Sequence, residues 1–156
     1  KGPDNSKSAA ERHEAFRDAL EQNGVHLGAK HIAFGANTFE SGVDCAVQLL
    51  KSENPPTAIF ASNDEMAIGV MVTAQKMGID IPNELTIIGF DDTPQASKVW
   101  PALTTVNLQV KEMGKLATQK LLALCSNNIG LAKTIKSELV PTLVRRETTA
   151  PPPILR

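Results

Sequence analysis

Pro56-Thr57-Ala58-Ile59-Phe60-Ala61-Ser62-Asn63-Asp64-Glu65-Met66-Ala67-Ile68-Gly69 decides the fold of this chain. Thr57 to Ala61 is a continuous apolar run between turn residues, the pattern of a strand buried on both faces. Ser62-Asn63-Asp64 supplies side chains that cap a helix start, and the spacing predicts a helix from about Glu65 to Lys76, stopped by Gly78. A second unit follows. Ile79 to Asn83 turns the chain through Pro82, and Leu85-Thr86-Ile87-Ile88-Gly89-Phe90 reads as another buried strand ending in Asp91-Asp92. Short apolar strands alternating with helices predict an α/β fold built on a parallel sheet. Ligands of such folds bind beyond the carboxyl ends of the strands, where Asn63-Asp64 and Asp91-Asp92 both lie.

Upstream, Ser6 or Ser8 is placed to cap a helix that stops at Asn23-Gly24 and carries Ala9, His13, Phe16 and Leu20 on one face. Lys30 to Gly35 reads as a short strand, and residues 41 to 52 as a helix ended by Asn54-Pro55-Pro56. Downstream, Leu103 to Leu108 reads as a strand. Val110, Met113, Leu116, Ala117, Leu121 and Leu124 then draw an apolar stripe on a helix running to Cys125 and broken by Ser126-Asn127-Asn128. Glu138 to Val144 reads as an edge strand because Pro141 has no N–H for a ladder, and the tail from Arg145 reads as exposed and loose. The sequence contains no internal repeat.

Composition narrows the function. In 156 residues, 42% hydrophobic and 21% charged, a core is required, which excludes disordered, collagen-like and coiled-coil classes. Sixteen Lys+Arg against seventeen Asp+Glu leave a net charge of −1, so this chain alone has no basic footprint for DNA, and 4% aromatics with no Tyr argue against a stacking platform for single strands. Cys45 and Cys125 suggest neither a disulfide framework nor a zinc site; on apolar helical stretches they read as buried inert thiols in a reducing compartment. No apolar run approaches the roughly 20 residues of a membrane span, and Lys1-Gly2-Pro3 begins no signal peptide, so a soluble protein away from membranes is expected.

Few residues invite chemistry. Asp91-Asp92 lacks the third acid and phosphate-holding lysine of a magnesium site; it reads as a hydrogen-bond acceptor for a polyol or as a strand-end cap, the cap being favoured for Asp92. Arg12 is either a solvated surface group or a fork that donates to ligand oxygens. Asn63 suits sugar recognition and helix capping alike. His13, His26 and His31 have no metal-ligand spacing, and Ser62 lies in no nucleophile elbow. No catalytic residue, metal site or cofactor is expected, and the chain does not read as an enzyme.

Six collinear motifs carry a resemblance: Pro56 to Gly69, Gly78 to Pro82, Ile88-Gly89-Phe90-Asp91-Asp92, Pro101 to Val106, Met113-Gly114 and Leu143-Val144-Arg145-Arg146. In order and spacing they resemble the lactose-repressor/galactose-repressor (LacI/GalR) family of bacterial transcription regulators, from Gly2 to about Thr148. The resemblance implies a periplasmic-binding-protein-like (type I) effector domain of two lobes, of which this chain is the C-terminal portion only, with the DNA-binding head and most of the other lobe preceding Lys1. Residues 1–100 would belong to the C-terminal lobe, 101–136 would cross to the N-terminal lobe as strand and helix, 137–148 would return across the hinge, and 149–156 would form a loose tail. Helix 110–125 and the tail would then stand detached from the main lobe or be covered by a partner copy.

By the same resemblance Arg12, Asn63 and Asp91 contact a small-molecule effector, with Ser8 and Asn37 at further contact positions. Asn37 stands where members often carry an aromatic ring, so that either Phe39 supplies the ring after a loop shift or the ligand is more polar on that face, and Leu108 stands where they often carry Gln. Ile68, Val72, Val99 and Trp100 match the surface through which members form homodimers. The implied function is the sensing of a sugar or small-metabolite effector, together with dimerisation, by a cytoplasmic repressor that reaches operator DNA only through the absent head. A periplasmic sugar-binding protein of an ABC transporter is the alternative.

Overall fold

The computed structural model describes residues 1–3, 5–125 and 138–152. At its centre β1 (Ala58–Phe60) and β2 (Thr86–Ile88) pair in parallel with Ile59 opposite Ile87, and α3 (Asp64–Lys76) is the crossover between them. α2 (Phe39–Leu50) packs beside α3, and Cys45, Ala46, Leu49, Met66, Val70 and Met71 from the two helices join Ile59 and Ile87 in the core. The helices approach closely because their contact is made at glycines: a Cβ on Gly42 would stand 2.7 Å from Met66 Cα, and one on Gly69 2.9 Å from Val43 N. Side chains alternate along a strand, so Phe60 faces away from α2 and α3. There α1 (Lys7–Gln22) covers it, with the Phe16 and Phe60 ring centroids 5.1 Å apart.

The caps are polar side chains of the expected kind. Ser6 accepts from Ala9 N on α1, Thr38 and Ser41 form a capping box on α2, and Asn63 accepts from Met66 N on α3. Gly24 and Gly78 end their helices at φ of 74° and 75°, a conformation open to glycine.

A second pair, β3 (Thr105–Asn107) and β4 (Thr142–Val144), is antiparallel with Val106 opposite Leu143. It is joined to the first sheet where Gly89 N donates to Thr104 O and Asp91 N to Val106 O. α4 (Val110–Cys125) follows β3 with no buried residue, leaving Val110, Met113, Leu121, Leu122 and Leu124 exposed.

Several sequence expectations are corrected. Residues 30–35 are not a strand: Ala29–His31 is a 3-10 turn, and among the described residues those beyond it find a ladder partner only in Lys1, too little for a sheet. β1 is buried on one face rather than two, since Ala58 is exposed. The edge strand is confined to Thr142–Val144, directly after Pro141. Cys125 is exposed rather than buried. The helix break at 126–128 lies outside the described residues.

The largest correction concerns the tail from Arg145, including the start of the segment 149–156. Thr148 is wholly buried; its hydroxyl donates to Ile87 O at 2.6 Å and accepts from Thr104 N at 2.9 Å, while its carbonyl accepts from Ile87 N at 2.8 Å. Ala150 is bonded to Thr86 through both its amide and its carbonyl. The tail thus satisfies the outer edge of β2, whose main-chain groups would otherwise be buried without partners.

Replacing Thr148 tests this anchor. Thr148→Val removes one hydroxyl from two buried main-chain groups and should destabilise the chain by on the order of 2 kcal/mol. Thr148→Ser should retain most of that stability, with both effects read from urea denaturation midpoints.

Candidate functional site

The site is built at the carboxyl ends of β1 and β2. Past β1, Asn63 spends both ends of its amide on the fold: Oδ1 accepts from Met66 N at 3.0 Å, and Nδ2 donates to Asn37 O at 2.9 Å. The second bond holds the loop in which Asn37 adopts φ 62°. Past β2, Phe90 O accepts from Asp64 N, and Asp91 and Asp92 follow at φ 115° and 55°. Two successive non-glycine residues with positive φ are costly, on the order of 1–3 kcal/mol each, and persist only where their surroundings hold them.

Arg12 comes to this end from α1. Its guanidinium lies 4.4 Å from the centroid of the Phe90 ring, which packs edge-on to Phe60 at 6.5 Å. Burial pushes the Asp91 carboxyl above its ordinary range, the Arg12 charge opposes this, and the Asp64 carboxylate adds to it. Arg12 and Asp91 are therefore close enough to act on each other electrostatically. Ser8 sits one turn before Arg12 on the same helix face, exposed, its hydroxyl 3.3 Å from that of Ser6.

The structure thus brings Arg12 beside Asp91, and Asn37 beside Asn63, and connects the two pairs through the Asp64–Phe90 main-chain bond. Three buried polar atoms here, Arg12 Nε, Asn37 Oδ1 and Ser62 Oγ, have no hydrogen-bond partner among the described residues. A cationic fork, a carboxylate, amide and hydroxyl groups, and an aromatic ring form a surface able to donate to and accept from a hydroxylated small molecule.

Two residues that read locally as caps hold this surface in place. Asp64 is fully buried: one carboxylate oxygen accepts from Thr105 Oγ1 at 2.5 Å, the other from Thr93 N at 2.7 Å and Thr93 Oγ1 at 3.1 Å. A Cβ at Gly89 would collide with that carboxylate, so glycine is required there. Asp92, favoured as a strand-end cap, instead pairs with Arg146 at 2.6 Å and accepts from Asn107 Nδ2 at 2.7 Å. Arg146 also donates to Leu103 O at 2.8 Å. Burial alone would push the Asp92 carboxyl up, but the hydrogen bonds from Arg146 and Asn107 and the guanidinium charge overcome it and hold the group below its ordinary range. The available signal was Arg146 itself, a charged residue in a segment that read as loose.

Away from this end, Trp100 is 79% exposed, while Ile68, Val72 and Val99 are half-buried. Gln75 Nε2 donates to Trp100 O at 2.7 Å and holds this segment against the last turns of α3.

Residues 1–149 match the family described as periplasmic binding protein-like domain. The chain is 36% identical to the probable HTH-type transcriptional repressor ExuR of Bacillus subtilis over 151 residues, 95% of this chain and 45% of that protein. Among solved structures it resembles the Escherichia coli transcriptional repressor ascG, with a TM-score of 0.82 and 31% identity over 96% of this chain and 54% of that one. It also resembles a sugar-binding transcriptional regulator of the LacI family from Escherichia coli, complexed with phosphate, with a TM-score of 0.78 and 33% identity over 96% and 53%. The chain spans about half the length of these relatives or less.

The two aspartates carry opposite pH signatures. Asp92, with its lowered folded pKa, contributes stability above the unfolded carboxylate pKa and loses it as pH falls through the folded value. Asp91, with its raised folded pKa, contributes below the unfolded value and loses that contribution as pH rises through the folded one. Arg146→Met should therefore cost on the order of 3 kcal/mol at about pH 7, from the uncompensated charge it leaves, and less in acid. Asp91→Asn should raise stability at about pH 7 and do less near pH 3. Urea midpoints measured across that range check both.

Proposed function

We propose, since this chain belongs to the periplasmic binding protein-like family in its LacI/GalR repressor branch, that it is the effector-sensing and dimerisation portion of a bacterial transcription regulator. The whole protein would act as a cytoplasmic repressor, reaching operator DNA through a separate head; a net charge of −1 suits a portion that does not itself hold DNA. The effector is a hydroxylated small molecule of the sugar class, bound by Arg12, Asn63 and Asp91 with Ser8 and Asn37 alongside. One observation carries this reading: Asp91 is held at positive φ with its carboxyl beside Arg12, whose cation rests on Phe90 at the end of a parallel sheet. The printed description of one relative as sugar-binding supports the ligand class. The relatives named are transcription regulators, which favours this reading over a periplasmic transport protein.

Residues 1–100 form one lobe in this reading, with 101–136 serving the other; the exposed apolar side chains of α4 support that division. An effector bridging the lobes would act by preferring one closure state over another, and the heads would respond to that difference in affinity.

The site is tested in the full-length protein by calorimetric titration with a panel of neutral sugars and sugar acids. Asp91→Ala should abolish binding of whichever compound the parent takes and leave operator binding intact; unchanged affinity would refute the site. The dimer surface is tested separately. Trp100→Glu, placed on the exposed apolar segment beside α3, should shift sedimentation of the full-length protein from dimer to monomer, and an unaltered dimer would assign the interface elsewhere.

A further inference from the structure

Two turns of the main chain at positive φ flank a single bridge. On the loop after β2, Asp91 and Asp92 stand at φ 115° and 55°; between β3 and α4, Gln109 stands at φ 53°. The bridge pairs Asp91 with Asn107 in parallel, and Asp91 N donates to Val106 O at 2.9 Å. Non-glycine residues at such φ are held there by their surroundings rather than by preference. Here one side chain bonds to both turns. Asn107 Nδ2 donates to Asp92 Oδ2 at 2.7 Å, and Asn107 Oδ1 accepts from Gln109 N at 2.6 Å.

The Gln109 turn reaches further. Its carbonyl accepts from Met113 N at 3.0 Å in the first turn of α4, and its Nε2 donates to Val140 O at 2.6 Å on the segment that leads into β4. Because α4 has no buried residue of its own, the direction in which it leaves the sheet is set at this joint. On the other side, Asp92 Oδ1 is held by Arg146 at 2.6 Å, which leaves Oδ2 for Asn107. Asparagine suits the position between them. Its amide donates at one end and accepts at the other without charge, whereas a carboxylate would repel Asp92 and an aliphatic side chain would supply neither bond.

We propose that Asn107 is a positioning residue for the site at Asp91: its amide clasps the Asp91–Asp92 turn to the Gln109 joint, so that the direction of α4 and the placement of the Asp91 carboxyl are set together. The clasp stands on hydrogen bonds alone, while its bearing on ligand affinity rests on the effector reading of Asp91. A carboxyl already in place binds more tightly than one that must first be ordered. Opening the Gln109 joint would loosen Asp92 and with it Asp91. By reciprocity, a ligand that fixes Asp91 would resist that opening.

Backbone amide exchange and sugar titration of the full-length protein test it. Asn107→Leu should speed exchange of the Asp91 and Met113 amides at least about tenfold and leave that of Ile87, within the central sheet, unchanged to within about twofold. Asn107→Asp keeps an acceptor for Gln109 N but sets a like charge against Asp92, so it should speed Asp91 and spare Met113. Gln109→Gly, which frees the joint from its positive-φ constraint, should speed Asp91 in the parent and add nothing in Asn107→Leu. Equal acceleration of Ile87, or additive effects of the last two substitutions, overturns the clasp. Calorimetric titration takes D-glucose, D-galactose, D-ribose and D-glucuronate as probes. Asn107→Leu should weaken whichever of these the parent binds at least about tenfold, and unchanged affinity overturns the positioning role. A parent that binds none of the four counts against the sugar reading of the effector, and the exchange results still decide the clasp.

Discussion

Asp64 is the group on which the arrangement of this molecule depends. A carboxylate removed from water is tolerable only when its oxygens are fully engaged, and here the donors come from two other parts of the chain: Thr93 in the loop after β2 and Thr105 at the start of β3. Asp64 itself opens α3. One buried charge therefore fixes the start of a helix, the loop that carries Asp91, and the strand that leaves the central sheet. Loss of any donor would leave part of a charge unpaired, which costs far more than an ordinary hydrogen bond.

The same economy appears beside it. Asp91 and Asp92 share a backbone turn that neither would adopt freely, yet their carboxyls are used differently. Asp92 is neutralised within the fold by Arg146 and Asn107 and serves to tie β3 and the return segment to the loop. Asp91 is left with burial unfavourable to its charge and only the neighbouring Arg12 to offset it. In the proposed reading, a ligand donating hydroxyl hydrogens to Asp91 would supply what the protein withholds, the physical sense in which a strained, under-compensated residue suits a binding position.

How far this was legible from sequence follows from what each feature requires. Helix ends were readable because caps are local: Asn63, Gly24 and Gly78 act within a few residues of themselves. The two central strands were readable because burial on a sheet imposes apolar runs. Asn63 and Asp91 stand past the ends of β1 and β2, as the pattern placed them, and Arg12 lies in the second turn of α1. Residues 32–35 were misread because a strand is a relation between two segments, and only Lys1 lies along them. The tail was misread for the converse reason: Glu147-Thr148-Thr149 is polar in composition, while the positions it fills are main-chain edges that call for hydroxyls and carbonyls rather than apolar side chains. Asp64 and Asp92 read locally as caps because their partners lie 15 to 54 residues away, beyond any local pattern.

The molecule presents two incomplete surfaces, and they are incomplete in different ways. The exposed stripe on α4 lacks only apolar contact, which many surfaces can supply without fixing a direction. Among the described residues the outer edge of β1 lacks directed hydrogen bonds, which only an extended backbone in one register and one sense can supply. Segments joined by the second kind of contact are held as one body, whereas those joined by the first can slide or separate. The carboxylate links of Asp64 and Asp92 fall between these two surfaces, on the short stretch where β3 and the return segment meet the central sheet. Displacement of α4 relative to the sheet must therefore pass through a region whose geometry is set by two charged groups and their donors, adjacent to Asp91, whose carboxyl feels the charge of Arg12. In the proposed reading, that proximity would give an effector at Asp91 a physical means of influencing how β3 and the segment of Arg146 are held.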